Sequence, residues 1–134
     1  MLAAAARVGA PLGHDFCVIN LSDNLKPWTL IEKRLQLAVE GDFAMAFYNP
    51  RSKSRPEGFA RALDLLQMAC GDARPVVFAR AVSTPDEQIS IVPLNEARPE
   101  MADMRTVVIV GASNTRIIEG ARRRIVYTPR SVLP

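Results

Sequence analysis

Hydrophobic residues along the chain follow two spacings, one typical of buried strands and one typical of amphipathic helices. Runs rich in apolar residues cover residues 16–21, 43–48, 75–81, 88–92 and 106–110. Short apolar runs bounded by turn residues are typical of strands in the interior of a sheet. We therefore predict five main strands, and we expect the first of them, residues 16–21, to be covered on both faces.

Two segments carry apolar residues at helical spacing. After Pro27, the apolar positions of the first segment are Trp28, Ile31, Leu35 and Val39, and Gly41 ends it. The apolar stripe of the second segment consists of Phe59, Ala62, Leu63, Leu66 and Cys70, and Gly71 ends it. A third, alanine-rich helix is predicted over residues 2–8, with Gly9 as its carboxyl-terminal cap.

The order of these elements predicts an α/β fold with a mixed sheet of about five strands flanked by helices. Only residues 83–87 separate two of the strands, and so short a link suits an antiparallel hairpin. A second hairpin is predicted to turn at residues 119–121. With 134 residues, 49% of them hydrophobic, the chain can bury one core but not two ordinary ones. Residues 1–134 are therefore expected to form a single α/β domain.

Composition excludes several classes of protein. The formal net charge of +3 suits an anionic ligand, and no motif for nucleic-acid binding accompanies it. Cys17 and Cys70 are isolated and His14 is the only histidine, which argues against a zinc site and a disulfide scaffold. No apolar run approaches the length of a membrane span. We expect a reduced, cytoplasmic protein with no metal, nucleic-acid or membrane partner.

Polar loops follow three of the predicted strands: Ser22-Asp23, Asn49-Pro50 and Gly111-Ala112-Ser113. If these strands are parallel, the loops meet at one edge of the sheet, where open α/β folds bind ligands. From the residues alone, ordinary turn and helix-cap chemistry is the favoured explanation of all three loops. The basic residues Arg51, Lys53 and Arg55 suit carboxylates, or else form a solvated loop.

The chain offers no convincing nucleophile and no acid–base pair, so any catalytic residue is unknown from the sequence. His14 and Cys17, at the start of the first predicted strand, are expected to pack rather than react. Methyl transfer from a sulfonium does not require such groups, because the cofactor supplies the electrophile and the protein mainly positions it.

The sequence of residues 43–55 resembles that of the tetrapyrrole methylase family, and so do residues 13–17, residues 21–23 and Pro27-Trp28. The resemblance extends over residues 2–131 and corresponds to the second half of such an enzyme. It implies two α/β domains with S-adenosylmethionine in the cleft between them. For the branch that has Asn-Pro at residues 49–50, the implied reaction methylates C17 of precorrin-3B with ring contraction, yielding precorrin-4.

The resemblance also implies roles for individual residues. Contacts with S-adenosylmethionine carry over to Tyr48, Asn49, Ala79, Arg80, Ala81, Val110 and Gly111. Contacts with a carboxylate-rich tetrapyrrole substrate are assigned to Ser22, Asp23, Arg51, Lys53 and Arg55.

The family's amino-terminal domain carries a Gly-x-Gly-Pro-Gly-type loop, and no counterpart of it occurs here. An excised piece, a separately encoded half and a truncated gene product each explain this. We expect an incomplete enzyme, inactive alone, that binds S-adenosylmethionine weakly, needs an amino-terminal domain in cis or in trans, and self-associates. The alternative is a noncatalytic α/β module that binds an anionic ligand or a partner protein. A Rossmann-type methyltransferase ranks last, because residues 21–24 are not glycine-rich.

Overall fold

The computed structural model describes residues 1–50, 57–71 and 73–131. The helices in these residues are α1 (Leu2–Val8), α2 (Trp28–Glu40) and α3 (Glu57–Cys70). The strands are β1 (Gly9–Ala10), β2 (Phe16–Asn20), β3 (Ala44–Tyr48), β4 (Pro75–Arg80), β5 (Gln88–Pro93), β6 (Thr106–Val110), β7 (Arg116–Glu119) and β8 (Arg124–Tyr127). Two 3₁₀ turns, Leu94–Glu96 and Pro99–Met101, occupy the segment between β5 and β6. No helix in the described ranges is long and apolar enough to cross a membrane.

The five strands predicted from the apolar runs form one mixed sheet. Its order is β2-β3-β6-β4-β5. β2 and β3 are parallel, whereas β6 is antiparallel to both β3 and β4, and β4 and β5 form an antiparallel hairpin. The predicted fold class and the predicted hairpin are therefore confirmed.

A second sheet of three strands, ordered β1-β8-β7, was not expected as a separate unit. The tail hairpin predicted at residues 119–121 is confirmed as the β7–β8 pair. The two-residue strand β1 adds to it in parallel, with Gly9 opposite Val126. A Cβ at Gly9 would lie 2.6 Å from the Val126 carbonyl oxygen, and its φ is 131°. Only glycine allows α1 to end where the chain meets β8.

The five-stranded sheet is covered by a different layer on each face. One core unites α2 and α3 with side chains of the sheet, including Ile31, Leu35, Phe59, Met45 and Phe47. The other core unites α1 and β8 with smaller side chains of the sheet, including Ala4, Val8, Ala46, Ile109 and Val126. The inner strands are consequently buried on both faces, which explains their continuous apolar runs.

The expectation that the first strand is covered on both faces is wrong. β2 is an edge strand, and Phe16 and Val18 are 37% and 42% exposed. Their face is open because α1 packs over the inner strands β3, β4 and β6. Phe43 is also 36% exposed, since it precedes β3 and lies against Gly41. Phe43 therefore lies at the border of the core, whereas Met45 and Phe47 are fully buried in it.

We expect Phe47→Ala to lower the free energy of unfolding by about 3–5 kcal/mol, because it removes a fully buried ring from the main core. Phe43→Ala is the matched control, because it removes the same atoms from a partly exposed position. Its free energy of unfolding should fall by less than half as much. Urea denaturation measures both. Equal losses, or a loss below about 1 kcal/mol for Phe47→Ala, would contradict this placement.

Candidate functional site

The carboxyl ends of β2 and β3 lie side by side. Their parallel register places Asn20 opposite Tyr48. The Asn20 side-chain oxygen accepts hydrogen bonds from the Ser22 backbone N–H at 3.0 Å and from the Asn49 side-chain amide at 3.3 Å. The Leu21 N–H donates to the Tyr48 carbonyl at 3.1 Å. Two of the predicted loops, Ser22-Asp23 and Asn49-Pro50, therefore meet at one edge of the sheet.

Asn20 was not predicted as a site residue from the sequence, although it is the polar residue that ends the otherwise apolar strand β2. Beside it, Tyr48 is 41% exposed and Asn49 is exposed. Asn49 has a φ of 51°, a conformation that asparagine tolerates better than most residues. The turn geometry thus explains asparagine here without a ligand, while its amide group remains at the exposed edge. Arg51, Lys53 and Arg55 lie outside the described residues.

β4 delivers its carboxyl end to the same edge, because β3 and β4 both run antiparallel to β6 between them. Two strand spacings separate β3 from β4, about 10 Å. The side chains of Ala79 and Ala81 are buried, and the Ala81 N–H and carbonyl already pair with the Arg105 carbonyl and with Thr84. Ala81 has a φ of 51°. A left-handed alanine costs roughly 1–2 kcal/mol, and strain of this kind often occurs at ligand sites.

Arg80 is held at this edge by a carboxylate that the sequence did not identify. Its Nε donates to Asp103 Oδ2 at 2.6 Å. The other Asp103 oxygen accepts from the Arg105 N–H at 2.8 Å and from the Thr106 hydroxyl at 2.9 Å. The hydrogen bond from Arg80 is the main cause that lowers the pKa of Asp103, and the same bond raises the pKa of Arg80. Asp103 therefore fixes a positive charge at the edge.

Val110 and Gly111 lie at the opposite edge, so the expectation that three loops converge is wrong for residues 111–113. β6 is antiparallel to β3, and Val110 stands opposite Met45 and Val76 near the amino ends of their strands. A Cβ at Gly111 would lie 2.5 Å from the Thr115 side chain, which explains the glycine by packing. Cofactor contacts by Val110 and Gly111 stay a prediction that rests on the resemblance.

The chain's own polar groups occupy this opposite edge. The Arg74 guanidinium, whose side chain is almost buried, donates to the Gly111 carbonyl at 3.3 Å and lies 3.8 Å from Asp42. The same Asp42 carboxylate accepts from the Ser113 N–H at 2.8 Å and from the Ser113 hydroxyl. These contacts join the starts of β3 and β4 to the end of β6, which is a structural role.

The two cysteines and the histidine show no catalytic arrangement among the described residues. Burial raises the pKa of the Cys17 and Cys70 thiols, which lowers their reactivity at neutral pH. His14 lies 3.9 Å from Asp15 near the surface. In the described ranges, no group of three His, Cys, Asp or Glu residues could hold a metal ion. The candidate site therefore offers contacts that bind and position a ligand: the Tyr48 ring, the Asn49 amide and the Arg80 charge.

The fold is an α/β domain with a mixed sheet, and its carboxyl edge offers groups suited to binding a ligand. The sequence profile of the Tetrapyrrole (Corrin/Porphyrin) Methylases matches residues 1–98. That is well over half of the chain, so the chain belongs to the tetrapyrrole methylase family.

Characterised relatives agree with this membership. The chain is 54% identical over 131 residues to a precorrin-3B C(17)-methyltransferase of Sinorhizobium sp, covering 97% of this chain and 52% of the relative. It is 43% identical over 129 residues to a probable cobalt-factor III C(17)-methyltransferase of Salmonella typhimurium, covering 96% of this chain and 52% of the relative. The chain thus spans about half the length of the curated relatives it matches.

Two solved structures are also similar to this chain over about half of their own length. The crystal structure of the methyltransferase CobJ superposes with a TM-score of 0.90 at 64% identity, over 96% of this chain and 52% of that one. The cobalt precorrin-4 methyltransferase CbiF superposes with a TM-score of 0.59 at 17% identity, over 82% of this chain and 47% of that one. The second likeness shows the fold alone.

We expect Asp103→Asn to lower stability near neutral pH by about 1 kcal/mol or less, because the ion pair with Arg80 is partly exposed. A carboxyl group with a lowered folded-state pKa stabilises the fold above its unfolded pKa, ordinarily near 3.8, and this contribution is lost as the pH falls through the lowered value. The difference between wild type and variant should therefore shrink in acid. Urea denaturation across pH measures it. Glu100→Gln, which removes an exposed carboxylate nearby, is the control. A difference independent of pH would contradict the assigned role of the charge.

Proposed function

We propose that this chain supplies one wall of the active site of an S-adenosylmethionine-dependent precorrin-3B C17-methyltransferase of cobalamin biosynthesis. The observation that carries the proposal is the 54% identity to the Sinorhizobium enzyme over 97% of the chain. The 64% identity to CobJ at a TM-score of 0.90 supports it. In this proposal residues 1–134 form one α/β domain, the counterpart of the second half of these relatives.

The exposed groups at the carboxyl edge suit a nucleoside cofactor. When bound, S-adenosylmethionine supplies the electrophilic methyl group. Tyr48 offers an exposed aromatic ring, and Asn49 offers an amide for hydrogen bonding beside it. In this proposal Ala79 and Ala81, small residues at the carboxyl end of β4, lie against the cofactor without obstructing it. The role of these residues is to orient the cofactor against a carbon nucleophile.

The substrate in this proposal is a tetrapyrrole rich in carboxylates. Arg80, held by Asp103 at 2.6 Å, keeps a guanidinium at the edge where such a carboxylate would arrive. Ser22 lies at the same edge through its bond with Asn20, and Asp23 follows it. Arg51, Lys53 and Arg55 follow Asn49 directly in the chain and add positive charge by sequence. Together these residues form our candidate substrate contacts.

Cofactor binding and methyl transfer test the proposal. We expect calorimetry to find binding of S-adenosylmethionine to this chain weaker than micromolar, because contacts from one wall must offset the entropy lost by the ligand. Fusing the chain to the half of the Sinorhizobium relative that it does not match should restore binding and transfer of labelled methyl to precorrin-3B.

Variants of the fusion locate the site. Asn49→Ala should weaken cofactor binding about tenfold, as expected for a lost hydrogen bond that leaves a polar group unpaired. Gln36→Ala, an exposed position on α2, should leave it unchanged. Micromolar binding by the unfused chain would contradict the one-wall proposal. A folded fusion that binds anions without methyl transfer would favour the noncatalytic module instead.

Self-association is the remaining part of the proposal. Exposed apolar side chains cluster around the open edge strand β2, including Phe16, Val18 and Tyr48. Exposed apolar patches favour association. We expect sedimentation at micromolar concentration to show a species above 14.7 kDa.

Val18→Glu should shift this species toward monomer, whereas Met68→Glu on the outer surface of α3 should not. Ala5 on α1 is buried within the chain, so a charge there would disturb the fold and would not probe association. A wild-type chain that is monomeric at every concentration would refute self-association.

A further inference from the structure

A cavity of about 400 Å³ lies on the α1 face of the molecule, and none of the candidate site residues lines it. It is an open groove between α1, the edge strand β5 and the β7–β8 hairpin. Val8, Ile89 and Ile91 supply apolar surface. The guanidinium-bearing residues that line it are Arg7, Arg123 and Arg124, and Glu87 lies among them. The lining therefore combines an apolar floor with a cationic rim.

Each arginine of this rim is positioned by a hydrogen bond, and two of the three also pair with a carboxylate. Arg123 Nη1 donates to the Arg7 carbonyl at 2.6 Å, and Arg124 Nη1 donates to the Ile91 carbonyl at 3.2 Å. Backbone carbonyls orient a guanidinium without cancelling its charge. Arg7 pairs with Glu87 at 3.1 Å and Arg124 with Glu119 at 2.9 Å.

Three guanidinium groups thus face two carboxylates. Within the described ranges, Arg123 has no carboxylate partner at ion-pair distance. The rim therefore keeps a net positive charge. Arg7 belongs to α1, Arg124 belongs to β8, and Arg123 lies in the turn between β7 and β8. A fixed guanidinium loses less conformational freedom when it binds an anion, because its side chain is already ordered.

The cavity lies apart from Tyr48 and Asn49, although its strand β5 pairs with Ala79 and Arg80 of β4. β5 is the outermost strand of the sheet, and β6 and β4 lie between it and β3. Three strand spacings amount to about 14 Å. Neither the candidate cofactor contacts nor the candidate substrate contacts line the cavity.

We propose that this cavity binds a small organic anion, with its carboxylate or phosphate group on the guanidinium rim and its apolar body on Val8, Ile89 and Ile91. Guanidinium groups bind both oxyanions through paired charge-assisted hydrogen bonds. The apolar floor selects an organic molecule over an inorganic ion, because burying apolar surface adds favourable free energy only for the former. The volume falls within the roughly 300–1,000 Å³ range of small-molecule sites. The inference does not rest on methyl transfer.

Titration of the chain with octanoate, followed by methyl and amide NMR, tests the site. We expect shifts confined to Val8, Ile89, Ile91 and the arginine rim. Octyl phosphate in a parallel titration distinguishes a phosphate from a carboxylate preference, and tighter binding of either satisfies the proposal. Octanol, which has the same body without the charge, should bind at least about tenfold more weakly, as expected for loss of a charge-assisted hydrogen bond.

Matched variants separate a built site from general electrostatics. Arg123→Gln should weaken octanoate binding about tenfold. Arg122→Gln removes the same charge from the neighbouring residue, which does not line the cavity, and should change the affinity less than about twofold. Glu87→Gln should tighten binding, because it removes the carboxylate that competes for Arg7.

Three outcomes would overturn the proposal: equal losses for the two arginine variants, equal affinity for octanol, or no shift at the three apolar residues at millimolar probe. The Glu87 variant provides a test that does not depend on the hairpin, in case Arg123→Gln disturbs its fold. Unchanged or weaker octanoate binding by a folded Glu87→Gln protein would also refute the site.

Discussion

The burial of β3 on both faces is the constraint on which the rest of the structure depends. Ala44, Met45, Ala46 and Phe47 are all buried, which requires a layer of protein above and below the strand. Met45 and Phe47 meet the α2 and α3 layer, while Ala46 meets α1 and β8. Through Val126 of β8, the carboxyl-terminal part of the chain belongs to the core on the α1 face.

The directions of the neighbours of β3 then decide what lies at each edge. Because β2 is parallel to β3, Asn20 and Asn49 are brought within hydrogen-bonding distance. Because β6 is antiparallel, its start contributes Asp103 and Thr106 to the edge where β4 delivers Arg80. The same reversal places Gly111 at the far edge, where Arg74 and Thr115 account for its surroundings. The directions of β2 and β6 relative to β3 thus create the candidate site and separate the loop at residues 111–113 from it.

In the proposed function, the carboxyl edge of the sheet forms one wall of a ligand cleft. A domain that forms one wall of a cleft is expected to expose polar and apolar groups that its counterpart covers. Tyr48, Asn49 and Arg80 are such polar and aromatic groups, and the open edge of β2 adds Phe16 and Val18. The arginine-rimmed cavity at β5 lies elsewhere and carries charge held by carbonyls, so its ligand is expected to differ from that of the cleft.

By itself the sequence determined the elements that depend on local pattern. Helical spacing located α2 and α3, apolar runs located the strands of the main sheet, and Gly9 located the end of α1. Near neighbours in the chain fix these features, because burial period and backbone propensity are properties of short segments. The resemblance to the methylases, carried by residues 43–55 and the motifs before them, was likewise readable without coordinates and is confirmed.

Only the tertiary structure decided which edges and faces those elements share. An apolar run reads alike in an edge strand and a central one, so the exposure of Val18 on β2 was not visible in the sequence. The direction of β6, the partnership of Arg80 with Asp103 and the meeting of Arg7 with Arg123 join residues that are far apart in the chain. Such contacts depend on how whole layers pack against each other, and no local pattern encodes that choice.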